Sequence, residues 1–289
     1  MARVREYYRP ERMNEALELL AKHGPTSVPL AGGTSLVPRL TRAENEIEVV
    51  VGLARLGLDF IKLEGDLLRL GAMATLTDIV ESDACRNMAG GLLARAARLN
   101  ADLNMRNAAT VGGLIVQGGP TSELLLALVV LGAEVVVQNA AGSHPLPLSA
   151  FLRAPADALA AGSETSQGLL TEIRFFAQDG AGAGLARLSR TPKDRPIIAA
   201  AALVERKGNT AVRVSLAMSG VAGMPVRLSG VKEALEGKPL TDAVLQEILD
   251  GLGERLYPPD DFRGSAEYRR EMAPILARRA LEEAWNAGG

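Results

Sequence analysis

The stretch LAGGTSLVPRL at residues 30–40 carries the strongest fold signal in the sequence. A short apolar segment ends there in the pair Gly32 and Gly33, and the hydroxyl residues Thr34 and Ser35 follow. Glycine accepts backbone conformations and close approaches that a Cβ excludes, and successive N–H groups in such a turn can face inward as a nest for phosphate oxygens. The stretch therefore predicts a strand that ends in an anion-binding turn.

A second glycine pair lies in residues 106–123, RNAATVGGLIVQGGPTSE, where Thr110 precedes Gly112 and Gly113. The glycines and the lack of a helical period predict a loop-rich segment, and Pro120 and Thr121 predict the start of an apolar helix that continues to Leu131. Paired glycines beside hydroxyl groups in two places suit a diphosphate ligand, although an ordinary turn would explain either pair by itself. Neither segment has the spacing Gly-x-Gly-x-x-Gly, so a nicotinamide-binding fold is disfavoured.

Composition limits the class of protein. The chain has 289 residues, 47 % of them apolar, which is enough for two domains with buried cores. Its net charge of −2 gives no electrostatic footprint for nucleic acid. The single cysteine, Cys85, excludes an internal disulfide and an iron–sulfur cluster held by cysteines of this chain. Any redox chemistry must therefore use a bound cofactor.

The sequence also predicts where the protein works. A single cysteine fits a reducing cytoplasm. The N-terminal residues carry charges throughout and lack the apolar core of a secretory signal. The longest apolar runs, at residues 124–133 and 197–204, are shorter than the roughly 20 residues that a membrane-spanning helix needs. We therefore expect a cytoplasmic protein with no transmembrane segment.

Apolar patterns along the chain predict helices mixed with strands. Residues 12–23 have the apolar spacing of a helix, and residues 60–72 alternate about a Glu-Gly-Asp turn as a hairpin does. The glycine-rich loop at residues 179–184 is the best candidate for a domain boundary. Beyond it, three strand-like runs and two helical stretches predict an antiparallel sheet packed by helices, which is an α+β arrangement.

Five segments occur in an order that resembles the FAD-binding (medium) subunit of the molybdenum hydroxylases, the family of carbon monoxide dehydrogenase and xanthine dehydrogenase. The segments are LAGGTSLVPRL at residues 30–40, RLGAMATLTDI at 69–79, RNAATVGGLIVQGGPTSELLLALVVLGAEVVV at 106–137, SRTPKDRPIIAAAALV at 189–204 and GSAEYRREMAPILARRAL at 264–281. Five collinear segments are far more specific than either glycine pair.

The resemblance implies an α+β fold in two parts. Residues 1–178 would form a two-lobed FAD-binding domain of the vanillyl-alcohol-oxidase and MurB type, with lobes of about 1–54 and 55–178. Residues 179–289 would form a C-terminal flavoprotein domain with a three-stranded antiparallel sheet and helices. FAD would be bound without a covalent bond.

The resemblance also implies which residues bind the cofactor. Residues 31–35 would wrap the FAD diphosphate and residues 110–113 would do so from the other lobe, while residues 122–123 and Asp194 would lie near the ribityl chain and the isoalloxazine. The candidate cofactor-binding residues are Ala31, Gly32, Gly33, Thr34, Ser35, Thr110, Gly112, Gly113, Ser122, Glu123 and Asp194. No catalytic side chain and no metal ligand is expected in this chain. Two positions depart from the family pattern: Leu114 stands where the family most often has Asn, and Glu123 replaces the commoner Asp.

By the same resemblance, the chain is one subunit of an oxidoreductase. A large subunit would hold the molybdopterin cofactor and a small subunit the [2Fe–2S] clusters, in a heterotrimer that is doubled to a dimer of heterotrimers. The chain would take electrons from the iron–sulfur subunit and pass them to a quinone, NAD or oxygen. Two alternatives stay open: a flavin-poor scaffold subunit of the same complex, and a free-standing FAD oxidoreductase.

Overall fold

The computed structural model describes residues 4–42, 47–153, 168–178 and 180–288. The chain divides into two compact units, each built from three separate segments. Unit 1 contains Met1–Asp78, Leu103–Gln117 and Glu134–Phe175, and unit 2 contains Ile79–Asp102, Gly118–Ala133 and Phe176–Gly289. Asp179, at the predicted domain boundary, lies outside the described residues.

Strands and helices are mixed along the chain and are numbered here from the N-terminus. The strands are β1 (Glu6–Tyr8), β2 (Ser27–Leu30), β3 (Val49–Gly52), β4 (Ile61–Glu64), β5 (Leu67–Gly71), β6 (Glu134–Asn139), β7 (Gly142–Pro147), β8 (Leu169–Phe176), β9 (Gly182–Leu188), β10 (Ile198–Lys207), β11 (Thr210–Ser219) and β12 (Val226–Arg227). The helices are α1 (Met13–His23), α2 (Leu36–Arg42), α3 (Leu76–Glu81), α4 (Asp83–Asn87), α5 (Leu92–Asn100), α6 (Leu103–Ala108), α7 (Val111–Gln117), α8 (Glu123–Val130), α9 (Leu148–Arg153), α10 (Val231–Leu235), α11 (Asp242–Leu249) and α12 (Ala266–Ala287). This content confirms the predicted α+β class. Among the described helices, none is both long enough and apolar enough to cross a membrane.

Unit 1 contains two sheets. Strands β1, β3 and β2 form a parallel sheet in that order, and β4, β5, β8, β6 and β7 form a five-stranded sheet. All four residues of β3 are buried, as its run of valines predicts, and α1 contributes Ala16 and Leu17 to the same core cluster. The predicted helix at residues 12–23 and the hairpin formed by β4 and β5 are both confirmed.

The predicted loop at residues 106–123 is wrong over most of its length. The segment holds the end of α6, all of α7 and the first residue of α8. Gly112 lies inside α7, where a Cβ would lie 2.7 Å from both the Cβ and the carbonyl oxygen of Ala72. This glycine therefore serves close packing rather than a turn, and the contact that requires it joins residues distant in the sequence.

Unit 2 is built around an antiparallel sheet in the order β12, β11, β10, β9. The predicted antiparallel sheet with helices is confirmed, but it has four strands rather than three, because the two residues of β12 pair with β11. Helix α12 packs closely on β9, since a Cβ on Gly182 or Gly184 would lie 2.0 or 1.9 Å from a carbonyl oxygen of that helix. Helix α11 was not predicted, although Thr241 caps it and accepts a hydrogen bond from Val244.

The C-terminal helix carries a fully buried charge. Arg269 is 0 % exposed. Its guanidinium donates to the carbonyl oxygens of Gly264, Ile197 and Gly220 at 3.2, 2.7 and 3.1 Å. The Asp261 carboxylate balances its charge at 2.6 Å. Four chain positions therefore meet at one side chain, which fixes the first turn of α12 beside the ends of β10 and β11.

Candidate functional site

The turn at residues 31–35 joins β2 to α2 and leaves backbone donors unused. Gly33 has φ of 71°, a left-handed conformation that favours glycine. The N–H groups of Gly32, Gly33, Thr34 and Ser35 donate no hydrogen bond to any other described residue, and the turn is only half-buried. Successive unpaired N–H groups in such a turn are an anion-binding arrangement. The turn therefore fits a phosphate group.

The structure brings residues 31–35 and 110–113 together in unit 1. A Cβ on Gly32 would lie 1.7 Å from the carbonyl oxygen of Ala108, so this glycine lets the turn lie directly against the end of α6. A Cβ on Gly113 would lie 3.9 Å from that of Ala31. The hydroxyl of Ser35 donates to the side-chain oxygen of Gln117 at 2.8 Å. The turn therefore packs against the end of α6 and is hydrogen-bonded to the end of α7.

Around the second glycine pair, unlike the first, the backbone N–H groups are hydrogen-bonded within the protein. The N–H groups of Val111 and Gly112 donate to carbonyl oxygens within residues 72–74 at 2.9 Å each. The N–H of Gly113 donates to the hydroxyl oxygen of Thr110 at 3.1 Å, and Thr110 is itself only 3 % exposed. These amides hold α7 in place, and their contact with a cofactor stays a prediction.

Ser122 and Glu123 lie at the start of α8 in unit 2. The Ser122 hydroxyl accepts a hydrogen bond from the N–H of Leu125 at 3.2 Å, which caps the helix. The same hydroxyl donates to the side-chain oxygen of Asn100 at 2.8 Å. The Ser122 hydroxyl therefore both accepts and donates a hydrogen bond within unit 2, which fixes its position.

Glu123 is a buried carboxyl group that faces positive charge. Its side chain is 2 % exposed, and its Oε1 lies 3.1 Å from Nη2 of Arg187 without the geometry of a hydrogen bond. Burial raises the pKa of Glu123 to about 7, against the opposing effects of a backbone hydrogen bond and of the charges of Arg187 and Arg195. Near neutral pH the carboxyl group is therefore divided between its two protonation states.

Arg187 connects Glu123 to the turn that contains Asp194. Its guanidinium donates to the carbonyl oxygen of Pro192 at 2.8 Å and also to that of Asp194. The Asp194 carboxylate lies 3.7 Å from Nε of Arg190. The structure thus brings the candidates Glu123 and Asp194 together through an arginine that the sequence analysis did not single out. Nothing in the local pattern of β9 marks this arginine, since its partners are distant in the sequence.

Other reactive groups do not form a site in the described part of the chain. No three His, Cys, Asp or Glu side chains are grouped there as metal ligands would be. Cys85 is buried, and burial raises the pKa of its thiol to about 11. The thiol is thus neutral at physiological pH and poorly nucleophilic.

Two family models together match most of the chain. Residues 2–175 match the FAD binding domain in molybdopterin dehydrogenase, and residues 185–284 match the CO dehydrogenase flavoprotein C-terminal domain. The first match covers more than half of the chain.

Relatives and a solved structure agree with these matches over the full length. The glyceraldehyde dehydrogenase medium chain of Sulfolobus acidocaldarius is 30% identical over 96% of this chain and 97% of its own. The carbon monoxide dehydrogenase medium chain of Hydrogenophaga pseudoflava is 31% identical over 97% of this chain and 96% of its own. A structure of carbon monoxide dehydrogenase from that organism superposes with a TM-score of 0.91 at 28% identity and covers 100% of both chains. The chain therefore belongs to the FAD-binding medium subunits of the molybdenum hydroxylase family.

Proposed function

We propose that this chain binds FAD without a covalent bond and transfers electrons from an iron–sulfur partner to an external acceptor. The four unpaired N–H groups at residues 32–35 carry the proposal, because they fit one phosphate of the FAD diphosphate. FAD, when bound, supplies the electron-transfer chemistry, and the protein supplies position and electrostatics. In this proposal the turn holds the diphosphate, and Ser122, Glu123 and Asp194 remain candidate cofactor-binding residues.

The proposed partners follow from the names of the relatives. Glyceraldehyde dehydrogenase and carbon monoxide dehydrogenase each have a component called a medium chain that matches this one from end to end. We infer a large molybdopterin subunit and a small [2Fe–2S] subunit, assembled as a dimer of heterotrimers. The cytoplasmic location inferred from the single cysteine is part of the same proposal.

A flavin-poor scaffold subunit is the second candidate function. It is favoured by the amides of residues 111–113, which are all paired within the protein and so offer no backbone donor to a second phosphate. It would keep the partners bound and take up little FAD. The two candidates differ in one measurable quantity, the affinity of the chain for FAD.

Titration of the purified full-length chain with FAD, followed by flavin fluorescence and visible absorbance, tests the proposal. We compare the unmodified chain with Gly33→Ala and with Gly57→Ala, because Gly57 has a similar φ of 66° and open space around it. Both changes impose the same kind of backbone strain, roughly 1–2 kcal/mol. Only Gly33→Ala reshapes the anion-binding turn, so we expect it to weaken FAD binding about tenfold or more while Gly57→Ala leaves the affinity unchanged.

Each outcome has a consequence. Stoichiometric binding by the unmodified chain that is weakened only by Gly33→Ala supports the FAD role. No uptake by the unmodified chain, with its partner subunits still bound, favours the scaffold. Equal affinity in the two glycine variants would show that the phosphate binds elsewhere.

A further inference from the structure

The guanidinium of Arg187 joins two distant parts of unit 2. On one side its two terminal nitrogens donate to the carbonyl oxygens of Pro192 and Asp194, the first at 2.8 Å. On the other side Nη2 lies 3.1 Å from Oε1 of Glu123. The Arg187 side chain is 14% exposed and that of Glu123 is 2% exposed. The contact between Arg187 and Glu123 is therefore largely shielded from water, which strengthens the electrostatic interaction, whereas the hydrogen bond to Pro192 is exposed.

The backbone at residues 191–194 has few other supports. The N–H of Asp194 donates to the carbonyl oxygen of Thr191 at 3.1 Å, and the Ser189 hydroxyl donates to the same oxygen at 2.8 Å. Both bonds lie within the turn, so neither attaches it to the rest of unit 2. The side chains of Arg190 and Lys193 are exposed. Arg187 ties the carbonyl groups of this turn to the end of β9, and the Arg190 guanidinium adds a contact 5.8 Å from the ring centroid of Phe262.

Glu123 faces the Arg187 guanidinium. Nε of Arg187 and Oε1 of Glu123 have no hydrogen-bond partner, so the contact between the two side chains is electrostatic, while the carbonyl oxygens of Pro192 and Asp194 bind the guanidinium by hydrogen bonds. The charged groups that act on the Glu123 carboxyl are Arg187 and Arg195. An ionised Glu123 attracts Arg187, whereas a protonated Glu123 does not. Arg187 should therefore restrain the turn more strongly when Glu123 is ionised than when it is protonated.

We propose that Arg187 is a positioning residue, which holds the backbone at residues 192–194 in the shape that FAD binding uses, with Glu123 orienting its guanidinium. The part of this inference that concerns FAD rests on the proposed function. The part that concerns the turn stands on the geometry of unit 2 alone. Arg187 touches the turn and acts on the cofactor only through it.

Limited trypsin digestion of the full-length chain without flavin tests the turn directly, since the bonds that follow Arg190 and Lys193 are tryptic sites within it. The variants are Arg187→Met and Arg187→Lys, and the control is Arg174→Met. Arg174 also lies in a strand and pairs with a glutamate, since its Nη2 lies 2.9 Å from Oε2 of Glu134. Mass spectrometry gives the rate of each cut. We expect Arg187→Met to raise the cutting rate in the turn about tenfold, because two charge-assisted hydrogen bonds are lost. Arg187→Lys should restore part of the protection, and the control should match the unmodified chain.

A pH series separates positioning from a purely structural role. With a pKa of about 7 for Glu123, the carboxylate fraction rises between roughly pH 6 and 8. Cutting in the turn, corrected for the activity of trypsin on a free peptide, should fall over this range in the unmodified chain. In Glu123→Gln, which keeps the size of the side chain without the charge, it should stay high and constant. If Arg187→Met does not fold, the comparison of Glu123→Gln with the unmodified chain still tests the inference.

FAD titration of the same variants completes the experiment. We expect Arg187→Met to bind FAD about tenfold more weakly than Arg174→Met. If the turn of Arg187→Met is as protected as that of the unmodified chain, the inference is overturned. Looser cutting with unchanged FAD affinity would overturn its cofactor part. A turn that loosens in a chain whose unmodified form binds no FAD would support the positioning role and refute the proposed function instead.

Discussion

Replacement of Glu123 by glutamine should change how the stability of unit 2 depends on pH. Burial raises the pKa of this carboxyl group from 4.5 to about 7, so the folded chain holds the proton more tightly than the unfolded chain does. The stabilisation that this proton provides is complete below about pH 4.5 and is lost as the pH rises through 7. The difference between these two pKa values corresponds to a loss of about 3 kcal/mol.

Urea unfolding followed by tryptophan fluorescence measures this loss. The single tryptophan, Trp285, lies in α12 and belongs to unit 2, as Glu123 does. Glutamine has no ionisable proton, so the difference in free energy of unfolding between Glu123→Gln and the unmodified chain should move by about 3 kcal/mol in favour of the variant from pH 4.5 to pH 8. The constant cost of removing the carboxylate that faces Arg187 cancels in this comparison.

Glu205→Gln is the matched control, because Glu205 also pairs with an arginine and also belongs to unit 2. Its side chain is 36% exposed and lies 3.8 Å from Nε of Arg213, so this variant should change the free energy of unfolding by less than about 1 kcal/mol. Parallel pH curves for Glu123→Gln and the unmodified chain would refute the argument, because they would mean that the buried carboxyl group does not titrate in this range.

Two further predictions concern unit 2. Asp261→Asn removes the negative charge that balances the buried Arg269, and it should lower the free energy of unfolding by about 3–5 kcal/mol; Asp242→Asn, which removes a carboxylate that is 90% exposed, should cost less than about 1 kcal/mol in the same urea titration. Gly184→Ala places a Cβ 1.9 Å from a backbone oxygen of α12 and should lower the free energy of unfolding by more than about 2 kcal/mol, whereas Gly223→Ala, with no atom within 4 Å of the added Cβ, should be nearly neutral. Thermal unfolding measures both, and equal losses would show that α12 can move away from β9 at little cost.

The elements that the sequence predicts well are those with local causes. Helix α1 and the β4–β5 hairpin follow from apolar spacing and from a turn that each segment contains within itself. Helix α7 was missed because two glycines argue against a helix, while the reason for Gly112 is its contact with Ala72, about forty positions away in the chain. Strand β12 was missed because two residues carry too little pattern.

The candidate site shows the same division. The turn at residues 31–35 could be predicted, since the glycine pair and the hydroxyl groups that define it are adjacent in the sequence. Arg187 could not, because its importance depends on a buried carboxylate and two carbonyl oxygens that only the fold brings to it. An arginine in a strand is ordinarily a solvated residue, and burial is visible only in three dimensions.

Helix α8 has a consequence for how the protein is made. All eight residues from Glu123 to Val130 are buried, and strands β10 and β11 of the same unit, which pack against the helix, begin only at Ile198. At about 5–20 residues per second, a helix that is apolar on almost every side leaves the ribosome several seconds before these two strands are made, with only α5 of its main packing partners already present. The chain is therefore most prone to aggregate during its synthesis, while α8 is exposed. A chain truncated before β10 would leave α8 exposed permanently.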